Sequence, residues 1–409
     1  MSENTTQKHN IGLSNPLMFF ATFVLCTVAM NADLSSSRLI WWGSVGFFAF
    51  SWLCTSNMRF TFDAKYTTWL LCFWGFCAFS ILWASSASLV TTVLKSAVMH
   101  IFILLMIRSS IRSKKDLERL IMILILASIV NSLYLMAISM GGGSSGGSGV
   151  TDRLGSEEGW NANSVGMMAA VGSLFIIYYM LKTRKTSMKI ILFLLACGMV
   201  FVSLISGSRK ALLIVLVGIA VYLFLMSGKK RLTSWILLIT FALVLMYVIM
   251  KVPFFYSIIG WRVEEMIEAL LGIGSGDSSF QSRKVLISAA IDAWMESPII
   301  GHGLDCFRIF GKIATGRDYY AHNNYVELLA DIGVVGTLIY YSAHIYAGRK
   351  LLRQLKNRDR TAMLCLTLLG IVLMVDIACV SYVDFLFEIV IMILFAFITI
   401  QDAEMKGET

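Results

Sequence analysis

Residues 114–140 read KKDLERLIMILILASIVNSLYLMAISM. The stretch opens on charged residues and then, from Leu120 to Met140, runs without a single charge. That is the roughly 20 residues a helix needs to cross the hydrocarbon core of a bilayer. Lipid offers no partner to a backbone N–H or C=O, so such a run satisfies itself only as a helix. The basic cluster at its head, Arg108 to Arg119, is the kind of short loop that stays on the cytoplasmic side.

The same pattern repeats in both directions. Apolar runs lie near 17–32, 39–55, 66–84, 89–107, 119–140, 162–181, 189–206, 211–227, 233–250, 325–347, 362–383 and 385–400. Across 409 residues the chain is 57% hydrophobic and only 14% charged, with three prolines; soluble domains carry about 25% charged residues. These runs predict an all-α, polytopic membrane protein of about twelve transmembrane helices. The last two runs almost touch and read as a bent hairpin or as a pair. The N-terminus, MSENTTQKHNIGLSN, is polar and leads into an apolar run with no small-residue cleavage site.

With the N-terminus placed in the cytoplasm, the strongly basic loops all fall on one side. They carry Arg59 and Lys65; Arg108, Arg112, Lys114, Lys115 and Arg119; Lys182, Arg184, Lys185 and Lys189; Lys229, Lys230 and Arg231; and Arg349 to Arg360. The charge bias predicts both termini in the cytoplasm. The net charge of +9 is then a topology signal; it points to anionic membrane lipids as partners of the inner loops and not to nucleic acid. Of the eight cysteines, Cys306 alone lies far from a span, and no CxxC pair suggests a metal site or a disulfide. No acidic cluster has metal-ligand spacing, and no glycine-rich loop has the lysine of a nucleotide site. Neither a metal nor a cofactor is expected.

Within a single integral-membrane domain, 1–409, two non-cytoplasmic segments stand out. Residues 141–161 begin with the linker-like GGGSSGGSG and lead to NANS, where Asn163 or Ser164 is expected to cap the next helix. Residues 251–324 form a large extracytoplasmic loop, too long to be only a connector. In it WRVEEMIEALLGI and SFQSRKVLISAAIDAWMESP have helical spacing, and GIGSGDSS reads as a turn.

The outward basic residues run against the topology bias, so another role must retain them. Arg209 and Lys210 stand at the edge of a span, Arg283 and Lys284 in the large loop, and His322 directly before a span. Arginines converging at this interface suit a lipid phosphate or diphosphate, which they grip with planar, paired hydrogen bonds. For Lys210 and Lys284 the simpler expectation is a side chain snorkelling to a headgroup. Glu327 and Asp331, costly within a membrane helix, are expected to face a polar cavity or to form ion pairs. Gly333 and Gly336 suit close helix packing.

The ordered motifs SGSRKAL (206–212), Arg283, SPIIGHGLDCF (297–307) and HNNYVELLADIGVVG (322–336) resemble the O-antigen ligase and polymerase superfamily, as does Arg153 in a loop ending in NAN at 161–163. The resemblance covers the topology of the whole chain and the motifs of residues 150–340; the glycine run at 141–149 has no counterpart in it. It implies a GT-C-like helical fold in a bacterial inner membrane, with an extracytoplasmic active site. The donor would be a glycan on undecaprenyl diphosphate, and the acceptor a glycan or a lipid core. Chain-length regulators or flippases would be partners. By residue, it implies catalytic roles for Arg209, Arg283 and His322. Substrate contacts fall to Arg153, Asn163, Asn323, Tyr325 and Glu327, with Gly301 and Gly303 making the turn before the site.

An acceptor hydroxyl must attack the sugar C1 while negative charge builds on the leaving diphosphate, which guanidinium groups can stabilise without a metal. His322 is expected either to take the hydroxyl proton or to hydrogen-bond the diphosphate. Arg308 and Arg317 are expected at the surface or against the glycan. Three functions remain open: a metal-independent, inverting polymerase of surface-polysaccharide repeat units, a ligase that transfers the finished glycan, and a lipid or solute transporter. The few ionisable residues within spans, such as Lys95 and Asp376, argue against transport.

Overall fold

The structure, a computed structural model, describes residues 12–56, 63–141, 153–155, 161–228, 231–274, 276 and 278–407. Nearly all of the glycine run at 141–149, most of the 141–161 segment, and Lys8, Arg59, Lys229 and Lys230 lie outside them. Among the described residues there is no strand.

The helices in order are α1 (Pro16–Ala29), α2 (Ala32–Ser36), α3 (Arg38–Ser56), α4 (Ala64–Phe79), α5 (Ala87–Ser109), α6 (Lys114–Gly141), α7 (Ala162–Lys182), α8 (Thr186–Ile205) and α9 (Arg209–Leu213). There follow α10 (Ile219–Ser227), α11 (Arg231–Lys251), α12 (Pro253–Phe255), α13 (Trp261–Leu270), α14 (Ser278–Glu296), α15 (Phe307–Thr315), α16 (Asn324–Gln354), α17 (Arg360–Val375) and α18 (Phe385–Lys406). A π-helical turn, Ile214–Gly218, joins α9 to α10 in one continuous span.

Eight of these helices are long and apolar enough to cross a membrane. A ninth arises if α11 and the α12–α13 segment, bent by 83°, count as one broken span. The break falls at Pro253, which cannot continue the ladder of α11 and instead starts a new helix. This number is below the expected twelve because three apolar runs end early. α1 stops at Ala29, α4 gives way to a 3₁₀ turn at Ser80–Leu82, and α17 stops at Val375 instead of continuing to 383. Residues 376–384 therefore form a connector between two separate helices, α17 and α18.

Burial sorts the helices. The apolar windows of α7 and α18 are each 78% buried, while that of α8 is 28% buried. α7 packs along α6, α8 and α9, and α18 along α5, α6, α16 and α17. Outer helices expose large apolar side chains, among them Phe50, Ile190, Phe193, Leu194, Leu243 and Tyr247. Water would not tolerate so much apolar surface, and lipid would cover it.

The two ends of the bundle differ. At the C-terminal ends of α5, α7, α16 and α18, basic loop residues pair with acids: Arg108 with Asp63 at 2.9 Å, Lys182 with Glu118 at 2.5 Å, Lys350 with Asp402 at 2.7 Å, and Lys114 with Asp359. At the opposite end, about 30 Å away by helix rise, lie α13, α14, α15 and the N-terminus of α16. The two helices expected in residues 251–324 are α13 and α14; α15 is an additional one, and the GIGSGDSS region turns after Leu270 as expected. Asn161, and neither Asn163 nor Ser164, caps α7, its side chain accepting from the Asn163 amide at 3.0 Å. Capping from Asn161 leaves the Asn163 side chain free to turn elsewhere.

Candidate functional site

The site is built around a break in α16. Gly333 has φ 64° and ψ −171°, so the helix ladder is interrupted about two and a half turns after the N-terminus at Asn324. Residues 297–303 fill the gap with their own backbone. The carbonyls of Pro298 and Ile299 accept from the amides of Val334 and Val335 at 3.0 and 3.1 Å; the amides of His302 and Gly303 donate to Ala330 and Asp331 at 3.0 and 2.7 Å. A broken helix thereby keeps its polar groups satisfied, as membrane interiors require.

This pairing explains the glycines. A Cβ on Gly333 would lie 2.3 Å from the Ile299 backbone, and one on Gly301 would lie 2.4 Å from that of Asp331. Both residues also have positive φ, which glycine adopts at no steric cost. Gly333 was expected to pack against a helix; its close neighbour is instead this loop. Gly303 approaches Ala84, so Gly301 and Gly303 shape the loop.

Asp331 is fully buried, and its two carboxylate oxygens accept from the amides of Asp305 and Phe307 at 2.8 and 2.7 Å. That fixes the start of α15. Arg308, one turn on, donates through Nε to both oxygens of Asp305 at 2.8 Å and through Nη1 to Asp318 at 3.3 Å. Burial raises the Asp305 carboxyl above the usual range, against the opposing pull of Arg308. Arg317 is exposed and donates to the Tyr319 hydroxyl.

The N-terminus of α16 is held from three sides. Asn323 caps it, accepting from the amides of Tyr325 and Val326 at 3.0 and 3.3 Å. Asn324, completely buried, binds the connector: its amide donates to the Asp376 carbonyl at 2.7 Å, and its Oδ1 accepts from Ser381 at 3.0 Å. The Tyr325 hydroxyl donates to the Leu373 carbonyl at 2.9 Å. Glu327, also buried, accepts through Oε2 from the Ala321 amide. Its other oxygen has no partner among the described residues. These bonds set the loop at 320–322, where His322 holds a left-handed φ of 57°.

The His322 ring lies against Tyr320, with centroids 4.1 Å apart. Its buried Nδ1 has no hydrogen-bond partner among the described residues. Burial, reinforced by the charges of Arg283 and Lys210, pushes its pKa down to about 3. His322 is therefore neutral at physiological pH, beside two cations brought from α14 and α9.

The predicted residues divide accordingly. The charges of Arg283 and Lys210 both reach the half-buried His322, and Lys210, expected to snorkel, is instead buried and lies next to Cys379. Arg209 turns the other way and donates to the Arg262 carbonyl at 3.3 Å, tying α9 to α13. Arg153 binds the SGSR turn, its Nε donating to the Ser206 carbonyl at 2.8 Å and its Nη2 to Asn163 at 3.4 Å.

A cavity of about 670 Å³ opens here, lined by Lys210, Tyr320, Glu327, Asn163, Asp305 and Arg308, and also by His100, Asp384 and Glu388. A second, of about 490 Å³, adjoins it and shares His100, Asn161, Ser164 and Asp384. The sequence reading missed Lys210, Asn324, His100 and Glu388. His100 and Glu388 lie inside the apolar runs 89–107 and 385–400, where any ionisable residue is costly enough to signal function.

The arrangement is a polar cavity lined by Lys210 and several carboxylates; behind Tyr320 stands a neutral imidazole whose Nδ1 has no partner among the described residues. No curated protein matches the chain. Residues 199–341 match the family model described as O-Antigen ligase. That segment contains Lys210, Arg283, the broken helix and His322, and the match supports the resemblance to the O-antigen ligase and polymerase superfamily.

Proposed function

We propose that the chain is an extracytoplasmic, GT-C-like helical glycosyltransferase of the bacterial inner membrane. It uses glycans carried on undecaprenyl diphosphate and polymerises the repeat units of a surface polysaccharide. The observation that carries this reading is that the charges of Arg283 and Lys210 reach His322, whose Nδ1 has no partner among the described residues, beside the larger cavity. Such a group binds a diphosphate and stabilises the charge that grows on its leaving oxygen. His322, held neutral, is a weak base there and serves better as a hydrogen-bond partner of the diphosphate. Arg153 supports the turn that presents Lys210, and Arg209 ties α9 to α13.

The description of the matching family favours a second reading, transfer of a finished glycan to a lipid core. Both use the same donor chemistry. Purified protein given an undecaprenyl-diphosphate-linked repeat unit separates them: a ladder of products supports polymerisation, and a single transfer to an added lipid core supports ligation. No product in either assay refutes both.

A further inference from the structure

We propose that His100, oriented by Glu388, is the catalytic base that takes the proton from the acceptor hydroxyl, and that the acceptor enters through the smaller cavity. This rests on the glycosyl-transfer reading. His100 comes from α5 and Glu388 from the first turn of α18, and the His100 Nδ1 lies 2.7 Å from the Glu388 Oε2. Both side chains are largely buried, and the ring is further fixed edge-on against Phe385 at 5.5 Å. A histidine held through one nitrogen by a carboxylate is the arrangement that directs the other nitrogen at a substrate proton.

Placement supports the assignment. In a single displacement with inversion, the attacking oxygen and the leaving oxygen lie on opposite sides of C1. Whatever grips the diphosphate is therefore a sugar's width from the attacking hydroxyl. Lys210 and Tyr320 line only the larger cavity, and His322 stands with them. His100 and Asp384 line both cavities and so stand at the boundary between them. A donor sugar with its diphosphate at Lys210 would present C1 toward that boundary. Trp41, Met168 and Phe385 in the smaller cavity offer flat and apolar surface to the acceptor.

The acceptor O–H gives its proton to His100 Nε2, and its oxygen forms a bond to C1. The bond from C1 to the diphosphate oxygen breaks, and its electron pair leaves with undecaprenyl diphosphate. His100 Nδ1–H remains bonded to Glu388, which steadies the imidazolium that forms.

The test uses the purified full-length chain, with an undecaprenyl-diphosphate-linked repeat unit for transfer and undecaprenyl diphosphate itself as a binding probe. General-base catalysis contributes about 10²–10⁴-fold, so His100→Gln is expected to lower kcat by at least about 100-fold. Binding of the probe should stay within about threefold of wild type, because the cations that hold it are untouched. Added imidazole should restore part of the rate of His100→Gly, and Glu388→Gln should lower kcat with little change in KM for the donor. If His100→Gln transfers at the wild-type rate, or loses probe binding together with transfer, the inference is overturned and the glycosyl-transfer reading stands. If the wild-type chain binds the probe but transfers no sugar, the reading fails and this inference with it.

Discussion

Asp331 holds Asp305 in place: from the interior of a membrane helix, its carboxylate accepts from the Asp305 amide at 2.8 Å. The other oxygen does the same for Phe307. The acidic residue costly to place in the helix thus positions the loop that closes the site. Asp331→Ala leaves two buried amides without an acceptor, each worth about 1–3 kcal/mol. Thermal unfolding in detergent should show a loss of roughly 2–6 kcal/mol, with Asp331→Asn between wild type and Asp331→Ala because it keeps one acceptor oxygen.

Gly333→Ala sets a Cβ against the Ile299 backbone at 2.3 Å and requires a positive φ. Backbone on both sides prevents relaxation, so a loss of at least about 2 kcal/mol is expected. Gly370→Ala in α17 meets nothing within 4 Å and should be neutral or slightly stabilising, through helix propensity. The two variants measured side by side by unfolding midpoint check the broken-helix geometry.

The sequence reveals the helical membrane class because long uncharged runs are almost unambiguous. It singles out His322 and Arg283, which the structure places near each other, because their motifs have recognisable spacing. It conceals what depends on three-dimensional pairing. Lys210 looks like a snorkelling residue until α9 is seen to turn it inward while Arg209 points at Arg262. The break at Gly333 reads as a packing motif, because only the neighbouring loop shows that its carbonyls replace the missing helix bonds. His100 and Glu388 are 288 residues apart, and no local pattern links them.

Loss of either cation should weaken diphosphate binding. Lys210→Met and Arg283→Met each remove one charge and keep apolar bulk. Undecaprenyl diphosphate affinity should fall about tenfold or more for each, a charge-assisted contact being worth about 1.5–3 kcal/mol. Lys284→Met, on the exposed face of α14, should leave it unchanged.

His322 also predicts a pH dependence. Its folded pKa of about 3 lies below the unfolded value of 6.5. The unfolded chain then binds the extra proton first. The stability this difference contributes is present above pH 6.5 and is lost progressively as pH falls from there toward 3. His322→Gln removes the term, so the unfolding midpoint of the wild type should drop more steeply than that of the variant between pH 7 and pH 5. Undecaprenyl diphosphate, by offsetting the charges of Arg283 and Lys210, should flatten the wild-type profile.

The central claim is that the Arg283–Lys210–His322 group holds a lipid diphosphate during sugar transfer. The most direct measurement is the single-turnover rate of transfer from an undecaprenyl-diphosphate-linked repeat unit by purified wild type, Arg283→Met and His322→Gln. Wild type is predicted to form product, and both variants, with unchanged unfolding midpoints at pH 7, to lose at least about 100-fold in rate. Transfer at the wild-type rate by folded variants, or no transfer by the wild type, would contradict the account.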